Sequence, residues 1–171
     1  LKLSRGLGDV YKRQGTVTLN AIDTDIEDIT ITNASAGSTI LKGNITTAND
    51  GVLSITGDVL VDKTHLTINT EDGSGGAGSA GGAVTITGKL DSKTSARNVD
   101  ILTGQGLTTI GGNIGTISAL NSLDINSTVN AKYTGGVTIS GDICAGATSG
   151  SGEGITGNIK LGNSNTTGAI T

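Results

Sequence analysis

The chain has 171 residues, 29 of them glycine, with no proline, phenylalanine, tryptophan or methionine and two tyrosines. That length suits one domain or a piece of one, and the dearth of aromatics removes the side chains that dominate compact cores and ligand pockets. Glycine without a Gly-X-Y period excludes collagen, one Cys and one His exclude a zinc cluster or a disulfide framework, and no apolar run approaches the roughly 18 residues of a membrane-spanning helix.

Residues 1–14, LKLSRGLGDVYKRQ, differ in composition from the rest of the chain: they hold four of the eleven basic residues (Lys2, Arg5, Lys12, Arg13) and Tyr11. Ser4 to Gln14 is similar to a read-through translation of a transposase adapter used in sequencing libraries. The expectation is therefore that 1–14 is an adapter artefact and not native, and that residue 15 is a break point and not a biological N-terminus. Residues 15–171 are then a single fragment of a larger repeat protein. Setting aside those four bases and Asp9 leaves 7 Lys+Arg against 14 Asp+Glu, and the net charge moves from −4 to −7. An acidic chain with scattered bases lacks the basic stripe that nucleic acid requires, so no nucleic-acid partner is expected.

From Gly15 onward the chain reads as short strands. Ile29-Thr-Ile31-Thr-Asn33 comes first, then Leu53-Ser-Ile55-Thr-Gly57-Asp-Val59 and Leu66-Thr-Ile68-Asn69-Thr70. The longer phrase returns as Val84-Thr-Ile86-Thr-Gly88-Lys-Leu90, Thr108-Thr-Ile110-Gly-Gly112-Asn-Ile114 and Val137-Thr-Ile139-Ser-Gly141-Asp-Ile143, with a looser copy at Ile155-Thr-Gly157-Asn-Ile159. The shorter phrase returns at Leu123-Asp-Ile125-Asn126-Ser127, and Ile29–Asn33 echoes it. Apolar and polar residues alternate in each, which is the pattern of a half-buried strand, and β-branched residues dominate. Val59 and Ile114, Leu66 and Leu123, and Val84 and Val137 lie 55, 57 and 53 residues apart. A drifting period of that size suggests a unit of two or more solenoid coils with loops of variable length.

A single such strand cannot bury its apolar face, but stacked turns can, with parallel strands about 4.7–4.9 Å apart. The inward set is expected to be Leu53, Ile55, Val59 and Val61, with Ser54 and Thr56 outward. Glycine after each strand fits a sharp corner through positive φ. Asn69 and Asn126 are expected to bond the main chain of adjacent coils. Coils of roughly 20–25 residues give about seven turns and a rod about 30–35 Å long. The expected fold class is all-β, a parallel β-helix solenoid. The alternative is an antiparallel β-sandwich, for which Asp50-Gly51 and Asp72-Gly73 offer turns.

TGDVLVDKTHLTINT (56–70), GGAVTITGKL (81–90), LTTIGGNIGTISALNSLDINS (107–127) and GGVTISGDI (135–143) resemble the β-strand repeats of filamentous-haemagglutinin-like adhesins and autotransporter passengers. The resemblance implies a right-handed parallel β-helix serving as a stalk and interaction surface, extracellular or on a bacterial cell surface. It implies a host or neighbouring-cell surface, glycan or matrix as partner, and stacking on further repeats of the same chain. No catalytic residues belong to those repeats, and no catalytic, cofactor-binding or metal site is assigned.

Several residue groups carry other readings. Asp23, Asp25, Glu27 and Asp28 offer oxygens at alternate positions for Ca²⁺, against a solvated loop. An enzyme reading, a β-helix polysaccharide lyase or hydrolase, needs clustered carboxylates and sugar-stacking aromatics, for which only Tyr133 remains outside 1–14. His65 reads as a surface loop residue and Cys144 as a free thiol without a role. Thr16-Val-Thr18, Thr30-Ile-Thr32 and Thr85-Ile-Thr87 resemble ice-binding arrays, but their gaps of 14 and 55 residues argue against register. Residues 71–82 and 145–154 read as Gly/Ser spacer loops. Asn33, Asn44, Asn126 and Asn165 lie in Asn-x-Ser/Thr sequons.

Overall fold

The computed structural model describes residues 9–13 (backbone only), 15–22, 26–33, 37–71, 81–128, 133–144 and 155–171. Fifteen strands and no helix are found among them. The first sheet holds, in spatial order, β1 (Asp9–Arg13), β3 (Ile29–Asn33), β6 (Leu53–Thr56), β9 (Val84–Ile86), β12 (Thr108–Ile110) and β14 (Val137–Ile139). The second holds β2 (Val17–Leu19), β4 (Ser38–Leu41), β7 (Asp58–Val61) and β10 (Leu90–Ser92). The third holds β5 (Ile45–Thr46), β8 (His65–Asn69), β11 (Arg97–Leu102), β13 (Leu120–Ile125) and β15 (Ile159–Leu161). The chain visits the three sheets in turn, pass after pass. Ile114 and Ile143 continue the second sheet as isolated bridges beyond Leu90.

Every strand pairing among the described residues is parallel, which overturns the antiparallel sandwich. The Asp50-Gly51 signal is a real turn put to another use. Asn49 and Asp50 both have positive φ (47° and 61°), and Gly51 N–H donates to the Ala48 carbonyl at 2.8 Å. That turn carries the chain from the third sheet to the first instead of closing a hairpin. Asp72-Gly73 lies outside the described residues. The strand β1 falls in the segment similar to a translated adapter. Its pairing needs only the backbone groups along the edge of β3, which any extended segment can meet.

Register explains the drifting period. In the first sheet Ile29 pairs with Leu53, Leu53 with Val84, Val84 with Thr108 and Thr108 with Val137, steps of 24, 31, 24 and 29 residues. Val59 reaches Ile114 through Leu90, and Leu66 reaches Leu123 through Val99. Each spacing near 55 is therefore two passes; the intermediate pass carries the same phrase in the first and second sheets, whereas in the third it reads Val99-Asp-Ile101-Leu102, with Leu in place of the Asn. Two phrase matches did not survive. Ile29–Asn33 lies in the first sheet, not with Leu66 and Leu123 in the third. Ile155 and Ile159 pair with Leu120 and Leu123 in the third sheet, not with Ile143 in the second. A phrase of four or five residues records local alternation, which any sheet of the stack can use.

The inward positions form rows of one residue per pass. Ile31, Ile55, Ile86, Ile110 and Ile139 run along the first sheet, and Ile22, Ile45, Ile68, Ile101, Ile125 and Leu161 along the third. Leu53, Ile55, Val59 and Val61 are fully buried, as the alternation requires, while Ser54 is half-buried and Thr56 exposed. All of these residues lie in one apolar cluster except Ile139 and Leu161, which end their rows and pack against it. Burying such a side chain contributes about 1.5–3 kcal/mol. Thr108 interrupts the row Leu53, Val84, Val137, and its buried hydroxyl has no partner.

Two rows of glycine set how closely successive passes approach. Gly57, Gly88, Gly112 and Gly141 stack at the corner between the first and second sheets. A Cβ on any of the last three would overlap the backbone of the preceding pass. Gly51, Gly82, Gly106 and Gly135 stack in the same way where the chain enters the first sheet. The expected role of positive φ holds within the first row only at Gly57, whose φ is 108°. Elsewhere in that row the constraint is room, not conformation. Beside the second row, Thr47, Thr70 and Thr103 are buried and donate their hydroxyls to the carbonyls of Gly51, Gly82 and Gly106 at 2.8, 2.6 and 2.7 Å. Asn126 accepts the Thr103 N–H at 2.9 Å and donates to its hydroxyl at 2.8 Å, bridging passes as expected. Asn69 instead accepts from Glu71 N–H within its own turn at 3.1 Å.

Two substitutions test this packing with opposite signs. Gly88→Ala forces a methyl against backbone and is expected to lower stability by about 1–3 kcal/mol, the usual cost of overpacking. Thr108→Val removes a buried unpaired hydroxyl at nearly constant volume and is expected to raise stability by about 1 kcal/mol. Urea unfolding monitored by far-ultraviolet circular dichroism reads both, and a Gly88→Ala midpoint equal to wild type would contradict the close approach.

Candidate functional site

With the inward rows filled by aliphatic side chains, the chemistry of the protein lies on its outward faces, and the three sheets differ sharply. On the first sheet the outward positions form two columns. Thr30, Ser54, Thr85, Thr109 and Thr138 make one, in direct register, and Thr171 extends it, its hydroxyl 3.2 Å from that of Thr138. Thr32, Thr56, Thr87, Gly111 and Ser140 make the other, each two residues beyond its neighbour in the first column. From β3 to β14 no ionisable residue stands in either column. This corrects the expectation that the Thr-x-Thr units are out of register. Thr30–Thr32 and Thr85–Thr87 share one face, with Ser54–Thr56 between them, because the passes separating them have unequal lengths that sum correctly. Thr16–Thr18 does not belong: Val17 lies inward in β2 of the second sheet.

The third sheet carries charge. His65 begins β8 and its Nε2 lies 2.7 Å from Asp100 Oδ2 on β11. Asp124 pairs in register with Lys160, with Nζ 3.6 Å from Oδ2. His65 is exposed as expected, but on a strand instead of a loop.

The corner leading from the second sheet to the third gathers bases that look scattered in the sequence. Lys42, Asp62 and Lys93 each follow the last residue of their strand in the second sheet, so they fall into one row across three passes. Lys93 Nζ donates to Asp62 Oδ2 at 3.0 Å. Lys42 Nζ lies 3.7 Å from the same oxygen and Arg97 Nη2 3.8 Å from Oδ1. The hydrogen bond from Lys93 is the largest cause holding the Asp62 carboxyl below its ordinary value of 3.8; desolvation opposes it, and the charges of Lys93, Lys42 and Arg97 add to the lowering. No local motif announces this group, because its spacing depends on the lengths of the passes.

The other candidates take structural places. Glu27 accepts from Asn49 Nδ2 at 3.2 Å and Asp28 Oδ1 accepts from Val52 N–H at 2.8 Å, both from the following pass; Asp23 and Asp25 lie outside the described residues. Among the described residues no group of three or more His, Cys, Asp or Glu side chains could hold a metal ion. Tyr133 is 7% exposed, so its ring is not presented to a sugar. Cys144 is a half-buried free thiol. Asn33 and Asn126 are buried at 5% and 0% exposure, which removes two of the four sequons as modification sites. Residues 72–80 and 145–154, the interiors of the Gly/Ser-rich segments, lie outside the described residues. The ends of the first segment belong to the frame: Glu71 is buried and Gly82 stands in a glycine row.

No known family model, curated protein or solved structure matches the chain.

The charge row at Asp62 makes a pH-dependent contribution with a definite sign. A carboxyl held below its unfolded value stabilises the fold fully above that value, and the contribution is lost as pH falls through the lower folded value. Asp62→Asn is therefore expected to unfold at lower temperature than wild type at pH 7, with the gap closing as the pH is taken well below 3.8. Thermal unfolding of both proteins between pH 7 and pH 2 in low salt reads this, and a gap unchanged with pH would contradict it.

Proposed function

We propose that the chain is a segment of a right-handed parallel β-helix belonging to a large bacterial secreted or cell-surface protein, where it acts as stalk and interaction surface. The supporting observation is the shared pass order of the three parallel sheets. Each pass adds one strand position to every sheet, so added repeats lengthen the stack by about 4.7–4.9 Å without changing its cross-section. Right-handed winding follows from the handedness of crossovers between parallel strands of one sheet. Such a body transmits length, and its outward faces can be varied without disturbing the core. A cell-surface or matrix glycan is the partner class that suits polar, hydroxyl-rich and charged faces of this kind. On this reading the stacking continues onto neighbouring repeats of the same chain.

A pair of deletions tests both stalk and contact. Removing residues 84–107 takes out one whole pass, because Val84 and Thr108 hold the same register position. Removing 97–107 takes out only a third-sheet strand and its return, although it is the shorter cut. The first variant is expected to keep the β circular-dichroism spectrum and the retention of matrix polysaccharide on protein-coated beads; the second is expected to lose both. Loss of the spectrum in both variants would contradict the solenoid. Release of soluble reducing sugar by the intact chain would replace the adhesive reading with an enzymatic one.

A further inference from the structure

We infer that the outward face of the first sheet is an ice-binding surface, its ligand being the regular lattice of water oxygens at the face of an ice crystal. The inference goes beyond the stalk reading and does not depend on it, since it uses only the register of the first sheet. Three observations carry it.

The first is periodicity in two directions. The columns Thr30–Ser54–Thr85–Thr109–Thr138 and Thr32–Thr56–Thr87–Gly111–Ser140 present hydroxyls at nine of ten positions over five consecutive strands. Neighbours along a column are one strand spacing apart, about 4.7–4.9 Å, and the columns stand two residues apart, about 6.5–7 Å. A crystalline ligand is matched by repeats of that regularity, whereas a single soluble sugar or peptide would need a few groups placed irregularly.

The second is availability. The hydroxyls of Thr30, Ser54, Thr56, Thr85 and Thr109 take no protein partner among the described residues, so their donors and acceptors are open to water. Thr56, Thr87, Gly111 and Ser140 are exposed. Each threonine also sets a methyl beside its hydroxyl, and apolar surface orders the water next to it.

The third is segregation of charge. The two columns hold no ionisable residue from β3 to β14, whereas the third sheet carries His65, Asp100, Asp124 and Lys160, and the adjacent corner carries Lys42, Asp62, Lys93 and Arg97. Charged side chains hold strongly oriented hydration that a neutral lattice does not accommodate. A face free of them, on a molecule that bears them elsewhere, complements a neutral water lattice. At the entry to the sheet the flanking outward positions Val52 and Leu107 are apolar, 38% and 46% exposed, and the one charge in that flanking row is Asp28 at its β3 end, whose Oδ1 accepts from Val52 N–H.

The test measures the gap between melting and freezing points of a single ice crystal in a solution of the full chain. The expected result is a hysteresis gap with faceted crystal growth, abolished by Thr85→Arg at the centre of the face and retained by Thr67→Arg on the third sheet. Thr56→Lys, at an exposed position of the second column, serves as the second variant should Thr85→Arg fail to fold. Circular dichroism confirms that each protein compared is folded. A folded wild-type chain with no gap overturns the inference, as does a gap that survives both face substitutions or is lost equally with Thr67→Arg. Sedimentation of the wild type as a dimer that Thr85→Arg dissociates, without hysteresis, assigns the face to self-association and also overturns it.

Discussion

The structure rests on how closely one pass of backbone can lie against the next. Parallel strands hydrogen-bonded between passes fix the separation at about 4.7–4.9 Å, and at the corners that separation leaves no space for a side chain directed along the stack. The glycine rows Gly57–Gly88–Gly112–Gly141 and Gly51–Gly82–Gly106–Gly135 meet that constraint. Given those corners, the aliphatic rows fall into line, and residues as different as Lys42, Asp62 and Lys93 are carried into contact across three passes. The high glycine content, which in a globular domain would cost conformational entropy for no gain, is here what permits the stacking.

The narrow interior explains the composition as well. A row with one inward residue per pass suits Ile, Val and Leu, whose branched side chains pack well against neighbours on a pleated surface. Continuous rows of Ile, such as Ile31, Ile55, Ile86 and Ile110, show identical side chains repeated along the stack. Polar groups at the corners are held by bonds that repeat with the passes, as in the threonine hydroxyls that reach the glycine carbonyls beside them. The outward faces are then free to diverge, and they do: neutral hydroxyls on the first sheet and charges on the third.

Much of this was legible in the sequence, for a physical reason. From the first inward residue of the first sheet to that of the second the chain runs six residues in four successive passes: Leu53 to Val59, Val84 to Leu90, Thr108 to Ile114 and Val137 to Ile143. That constancy, marked by a glycine, is why the phrase repeats and why its inward set could be read. The return from the third sheet to the first is not constant. It takes residues 47–52, 70–83, 103–107 and 126–136 in successive passes, so strand periods drift, and rows that cross passes are hidden. The Thr-x-Thr columns and the Asp62 charge row were missed on that account, since neither has a fixed spacing. Short likenesses misled in the other direction: Ile155–Ile159 has the phrase of the first corner but sits in the third sheet. The glycine row after the first-sheet strands was found with its cause misassigned, and the row before them was not found, because sequence shows where glycine stands and not what lies beside it.

Every row and face depends on the register between passes, and cross-linking between passes reads it directly. In a Cys144→Ser background, Ser54→Cys with Thr85→Cys places two thiols at directly paired positions of the first sheet, with Cα atoms about 4.7–4.9 Å apart, inside the range a disulfide accepts. Ser54→Cys with Thr109→Cys places them two strand spacings apart, about 9.5 Å, beyond that range. Mild oxidation followed by non-reducing electrophoresis of peptide digests is expected to show an intramolecular disulfide in the first variant and none in the second. No cross-link between positions 54 and 85, or equal cross-linking in both variants, would contradict the stacking on which every face and row of the molecule depends.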